Sequence, residues 1–170
     1  MTLKKIDKSN DLFEVILEDW EDQCKGYGED ILDYALPSLS HARKIINEDI
    51  NSDYSIYGCY QAGKCDCLIH VNCALLPKTQ GYTLKFMWIL LAPKFDFEDV
   101  DADLLAVVSS QIVEGAVSLC KADSRSRHVK IHLSNMGDRR FFLGVAFGLK
   151  SSAQIESADV KGNWLQMTLA

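Results

Sequence analysis

The segment Pro93-Lys94-Phe95-Asp96-Phe97-Glu98-Asp99-Val100-Asp101-Ala102-Asp103-Leu104-Leu105 decides how this chain is read. It follows the apolar run from Tyr82 to Leu91 and precedes a helical apolar pattern, so it stands where a strand hands over to a helix. A turn that grips a phosphate at such a place needs bare backbone N–H groups, glycines for close approach and a cation. This one offers five carboxylates, one lysine and no glycine.

Around that turn the pattern is regular. Leu12, Phe13, Ile16, Leu17 and Trp20 recur at helical spacing behind the capping residues Ser9, Asn10 and Asp11, and Gly26 and Gly28 close the helix. A second helical pattern, with Ile31, Leu32, Ala35, Leu39, Ile45 and Ile46, runs to Asn47 and is expected to bend at Pro37. Tyr54 to Tyr60 and Cys65 to Leu75 read as a hairpin around Gln61-Ala62-Gly63-Lys64. Tyr82 to Leu91 reads as a central strand buried on both faces.

Beyond the acidic turn, Leu104, Leu105, Val108, Ile112, Ala116 and Leu119 mark one face of a helix from about Asp99 to Lys121. His128 to Leu133 is a short strand, Asp138 to Val145 a short helix, and Trp164 to Leu169 a half-buried strand fed by the turn Gly162-Asn163, either single or one of a terminal pair. Strand, crossover helix and strand between Tyr82 and Leu133 require one parallel pairing in an otherwise antiparallel sheet. The expected architecture is α/β, a single domain over 1–170 with the ligand crevice at the carboxyl end of the Tyr82–Leu91 strand.

Composition narrows the partners. With 48% hydrophobic and 25% charged residues, the chain can bury one sizeable core. Its net charge of −6 and lack of a basic cluster argue against a nucleic-acid groove or an anionic membrane surface. Met1-Thr2-Leu3-Lys4-Lys5-Ile6-Asp7 lacks the apolar core of a signal peptide, and no continuous apolar run reaches spanning length. A cytoplasmic protein is expected. Cys65-x-Cys67-x-x-His70-x-x-Cys73 has the look of a metal motif, but strand alternation turns His70 away from the three cysteines, so no metal is expected and the thiols read as small hydrophobes.

Taken together, this order of elements resembles the GNAT superfamily of N-acetyltransferases over almost the whole chain. In that family the fourth strand ends in a hydrophobic run and a proline, and an R/Q-x-x-G-x-G/A turn then binds the acetyl-CoA pyrophosphate. Here Leu90-Leu91-Ala92-Pro93 matches the strand end, Asp96 stands for the arginine or glutamine, and Asp99 and Asp101 stand for the glycines. Family members also read N-x-x-A-x-x-x-Y-x-x-x-G-F, where the tyrosine protonates the departing thiolate. This chain has Asn135, Phe142 at the tyrosine position, Ala146 for the glycine and Phe147. A phenyl ring has no proton to donate.

By family position, the resemblance implies that acetyl-CoA would meet Leu90, Leu91, Asp99, Val100, Asp101, Asp103, Asn135 and Arg139. His70 and His132 are the candidate general bases, each titrating near neutrality when unperturbed. A helix start attracts an anion by about 0.3–1 kcal/mol. Each unit-charge pair at about 4 Å repels by about 1 kcal/mol in water, so several acids outweigh the dipole. Weak or no acetyl-CoA binding in the usual mode is therefore expected. The leading expectation is a pseudoenzyme, a binding, regulatory or assembly module with a protein partner. The alternative is an atypical N-acyltransferase that acts on a small amine and holds CoA through the main chain of Leu90 and Leu91 and through Arg139 or Arg140.

Overall fold

The computed structural model describes residues 2–48, 53–77, 79–99, 102–123, 125–134 and 136–170. In chain order the elements are β1 (Thr2–Ile6), α1 (Leu12–Tyr27), α2 (Ile31–Glu48), β2 (Tyr54–Gln61), β3 (Lys64–Leu75), β4 (Tyr82–Leu91), α3 (Lys94–Phe97), α4 (Ala102–Ala122), β5 (Ser126–His132), α5 (Met136–Leu149), β6 (Ile155–Lys161) and β7 (Trp164–Leu169). The strands form one mixed sheet in the order β1-β2-β3-β4-β5-β7-β6. β1–β2, β5–β7 and β6–β7 pair antiparallel, and β4–β5 pair parallel from Tyr82/Ser126 to Phe86/Ile131. The mixed α/β sheet with one parallel crossover is thus present. Packing divides the chain into two compact units: Met1–His70 with Ile89–Ser109, and Val71–Trp88 with Ser110–Ala170.

In the first unit, α1 ends as its glycine dictates. Gly28 takes the left-handed conformation at φ 77°, and the next amide, of Glu29, returns to the Cys24 carbonyl at 2.9 Å. Trp20, on the buried face of α1, is fully enclosed, and its indole N–H donates to the Cys65 carbonyl at 3.2 Å. An enclosed tryptophan of this kind contributes about 3–5 kcal/mol against truncation. Pro37 has no N–H for the Asp33 carbonyl, and the helix α2 breaks just before it at Ala35 (φ −151°, ψ 22°). The hairpin β2–β3 turns on Ala62 (φ 49°) and Gly63 (φ 85°), two positive φ angles that match the right-handed twist of its strands.

The second unit has a plain alternation. In β7, Leu165, Met167 and Leu169 are buried while Trp164, Gln166 and Thr168 are half-buried; in β5, Val129 and Ile131 are buried between half-buried neighbours. α4 buries Val108, Ile112, Val113, Ala116 and Cys120.

Several expectations are corrected. β1 and α3 carry little apolar periodicity and escaped the sequence pattern; β1 forms because it pairs along the edge of β2, and β6 beside β7 makes the chain end a strand pair. β4 is buried at Thr83, Leu84 and Phe86 but only half-buried from Met87 to Leu91. Leu104 and Leu105 are 41% and 37% exposed, so the core face of α4 begins at Val108. Asp103–Ala122 has a mean hydropathy of 1.4 and, by length and composition alone, could span a membrane, although serines and a glutamine interrupt its apolar run. Its buried stripe is the amphipathic signature of a core helix.

Asp123 closes α4 onto β5 in the second unit. Its carboxylate accepts from Ser126 Oγ at 2.7 Å, from the Arg125 backbone and Nε at 3.2 and 3.1 Å, and from the Cys73 thiol at 3.5 Å. Burial pushes its pKa up, but these donors together outweigh burial and hold it at about 2. The stability it contributes is complete above the ordinary aspartate value near 3.8 and is lost as pH falls through about 2. Urea midpoints of wild type and Asp123→Asn should therefore differ at neutral pH and converge between about pH 4 and 2; a gap unchanged at the acid end would contradict this.

Candidate functional site

The carboxyl end of β4 in the first unit is where the acidic segment lies. Its first part is a single helical turn, α3, and the turn uses up its own amides. Phe95 N–H donates to the Ala92 carbonyl at 2.9 Å, and those of Asp96 and Phe97 donate to Pro93 at 3.0 and 3.1 Å. Glu98 N–H donates to Lys94 at 3.1 Å, and the Lys94 amide reaches Gln23 Oε1 at 3.2 Å. Five consecutive backbone donors are spent on protein acceptors, so none of them is bare for an anion.

Side chains close the same turn. The Tyr34 hydroxyl, in the first turn of α2 just before the break at Ala35, lies 2.7 Å from Asp96 Oδ2 and 2.9 Å from the Leu91 carbonyl. Burial pushes the Tyr34 phenol up and the Asp96 carboxylate adds to that, so the hydroxyl keeps its proton. The Tyr27 hydroxyl donates to the Glu98 carboxylate. Phe97 sits with its ring centroid 5.5 Å from both tyrosine rings, tilted at 37° to Tyr27 and 51° to Tyr34. Asp96 and Glu98 thus each face a phenol, and Tyr34 shares its one proton between Asp96 and the last carbonyl of β4.

The lone lysine of the segment is also committed. Lys94 Nζ lies 2.7 Å from Asp66 Oδ1, and the Asp66 side chain is only 4% exposed. The Ala92 amide donates to the Asp66 carbonyl at 2.9 Å, so one residue of β3 anchors both ends of the strand-to-turn junction. A buried carboxylate without its cation costs several kcal/mol, about 3–5, which ties Lys94 to the protein.

The other candidates fall in separate surroundings. His70, on β3 in the first unit, is 5% exposed, with the His41 ring at 5.1 Å and the Tyr54 ring at 5.6 Å. Burial first, and His41 second, pull its pKa down to about 4, below the range where a general base is effective at neutral pH. His132, in the second unit, meets Trp164 edge-on at 4.9 Å. Leu90 is half-buried, and Asp99 and Asp103 are exposed. Phe142 on α5 is 7% exposed, a buried ring where the resemblance places a phenol. Val100, Asp101 and Asn135 lie outside the described residues, as do the side chains of Arg139 and Arg140. Asp99 stands three residues before the first residue of α4. Among the described residues no group of three or more histidine, cysteine or acidic side chains is placed to hold a metal, and all six cysteines are buried thiols.

Sequence reasoning missed Tyr27, Tyr34 and the Asp66–Lys94 pair. Asp66 carried a usable signal, since a carboxylate inside an apolar strand requires a cation. The tyrosines carried a weaker one: they flank the joint between α1 and α2, and only the fold brings them to the acids.

Neither a protein-family model nor a curated protein sequence matches the chain. Solved structures do. A probable acetyltransferase from Staphylococcus epidermidis ATCC 12228 superposes with a TM-score of 0.56 at 13% identity, covering 99% of both chains. The aminoglycoside N(6')acetyltransferase of Legionella pneumophila gives 0.51 at 12%, over 98% of this chain and 90% of that one. A structure of the AtaT–AtaR complex bound to DNA gives 0.51 at 11%, over 99% and 94%. With the mixed seven-stranded sheet, its parallel β4–β5 pair and end-to-end superposition on acetyltransferases, the chain has the GNAT fold.

Proposed function

We propose that this protein is a divergent GNAT-fold module that acts by binding, with the acetyl-CoA pyrophosphate site of the fold occupied by its own residues. The observation that carries the reading is the α3 turn: its amides bond to the preceding carbonyls, and the Tyr34 hydroxyl shares its one proton between Asp96 and the Leu91 carbonyl. A pyrophosphate entering there would have to break those bonds and sit beside Asp96, Glu98 and Asp99, each unit-charge pair at about 4 Å adding about 1 kcal/mol of repulsion in water. The single cation of the turn is held by Asp66. The buried Phe142 supplies no proton for a leaving thiolate. These features favour a protein-binding, regulatory or assembly role over acetyl transfer, in the cytoplasm.

Isothermal titration of the full chain with acetyl-CoA should give no saturation below millimolar concentration, and a thiol-release assay over a panel of amines should give no turnover. Micromolar binding or robust turnover would overturn the proposal and favour the atypical acyltransferase. Restoring the family turn with Asp96→Gln, Asp99→Gly and Asp101→Gly should raise acetyl-CoA affinity by about tenfold or more, equivalent to about 1.4 kcal/mol, by removing three acids and loosening α3. An unchanged titration in that variant, with its fold intact by circular dichroism, would count against charge and turn geometry as the obstacle.

A further inference from the structure

The second unit carries an arrangement that the turn does not explain. In the parallel pairing of β4 and β5, Lys85 stands opposite Lys130. Lys130 in turn faces Gln166 on β7, and His132 faces Trp164. By strand alternation these five side chains share one face of the sheet, the face that does not carry the buried Val129, Ile131, Leu165 and Met167. All five are half-buried.

Charge on this face is unbalanced. Among the described residues neither Lys85 nor Lys130 has an acid within ion-pair distance. The acid farther along the same row, Asp159 on β6 opposite Gln166, is taken by Lys150 at 3.0 Å. Like charges directly opposite on neighbouring strands destabilise a sheet, and nothing in the folding of the unit calls for two lysines there. His128, which continues the face, has both ring nitrogens engaged, by Thr168 Oγ1 at 3.1 Å and the Gln80 carbonyl at 3.0 Å. Lys85 Nζ rests 5.6 Å from the Trp164 ring centroid, and the His132 ring meets the same indole, so the aromatic surface and the cations form one contiguous patch.

We infer that Lys85, Lys130, His132 and Trp164 form a binding site for a compact phosphomonoester, its phosphate held between the two lysines and its organic part against the indole. Adjacent strands lie about 4.8 Å apart, a spacing at which two ammonium groups can each reach a different oxygen of one tetrahedral dianion. Lysines without a partnering arginine suit a point-charge contact to phosphate rather than the planar fork that a carboxylate prefers. The patch spans only three strands and the chain carries a net charge of −6, both of which disfavour an extended polyanion. This inference deepens the binding-module reading by naming a ligand class, and rests on it for its biological meaning only.

Phenyl phosphate titrated into the full chain, with phthalate and inorganic phosphate as comparisons, tests it. Phenyl phosphate should bind saturably and raise the melting temperature, phosphate more weakly, and phthalate least. Lys85→Gln and Lys130→Gln should each weaken phenyl phosphate by about fivefold to tenfold. In phosphate-free buffer Lys130→Gln should melt at or above the wild-type temperature, because it removes the facing repulsion. Trp164→Leu should reduce the preference for phenyl phosphate over phosphate. No saturable binding, equal binding by the lysine variants, or a preference for phthalate would overturn the inference. None of these outcomes involves acetyl-CoA, so failure here leaves the closed turn standing, and acetyl-CoA binding at the turn would leave this face untouched.

Discussion

The backbone hydrogen bonds of one short turn constrain everything that happens at the end of β4. Amides from Lys94 to Glu98 all find acceptors within the protein, and a donor already satisfied gains little from a phosphate. An acid-rich sequence is what such a turn can tolerate, because its carboxylates have no buried anion to oppose. Tyr34 and Tyr27 then use those carboxylates as acceptors, and Phe97 fills the space between the two rings. The local conformation, the charge and the aromatic packing therefore support one another, as a minimally frustrated arrangement should.

Two neighbouring elements make that arrangement possible. Pro37 breaks α2 at Ala35, which leaves the turn bearing Tyr34 as a short separate piece that reaches the Leu91 carbonyl and Asp96. Asp66, buried in β3, recruits the only lysine of the acidic segment. Its ammonium thereby neutralises a carboxylate of the core. Removing Lys94 would leave the buried Asp66 carboxylate without its cation.

Much of the fold was legible because it rests on periodicity. Trp20, Ile16 and Phe13 repeat at helical spacing, Leu165, Met167 and Leu169 alternate, and Gly63 and Gly28 mark the turns they occupy. The parallel crossover followed from a long helical pattern between two strands. Edge elements were harder to read: β1 has only Ile6 buried, and its existence depends on pairing with β2 rather than on its own sequence. The acids of the turn were visible in the sequence, but the contacts that hold them were not. Closure depends on contacts between Tyr34 and Asp96, 62 positions apart, and between Asp66 and Lys94, 28 apart, which no local pattern reports.

The most direct measurement follows the backbone amides of Phe95 to Asp103 by two-dimensional NMR while acetyl-CoA is added to millimolar excess. The account predicts that these resonances stay where they are, those of Phe95 to Glu98 protected from exchange by their bonds to Ala92, Pro93 and Lys94. A saturable shift of these amides, accompanied by release of the Tyr34 hydroxyl from Asp96, would contradict it.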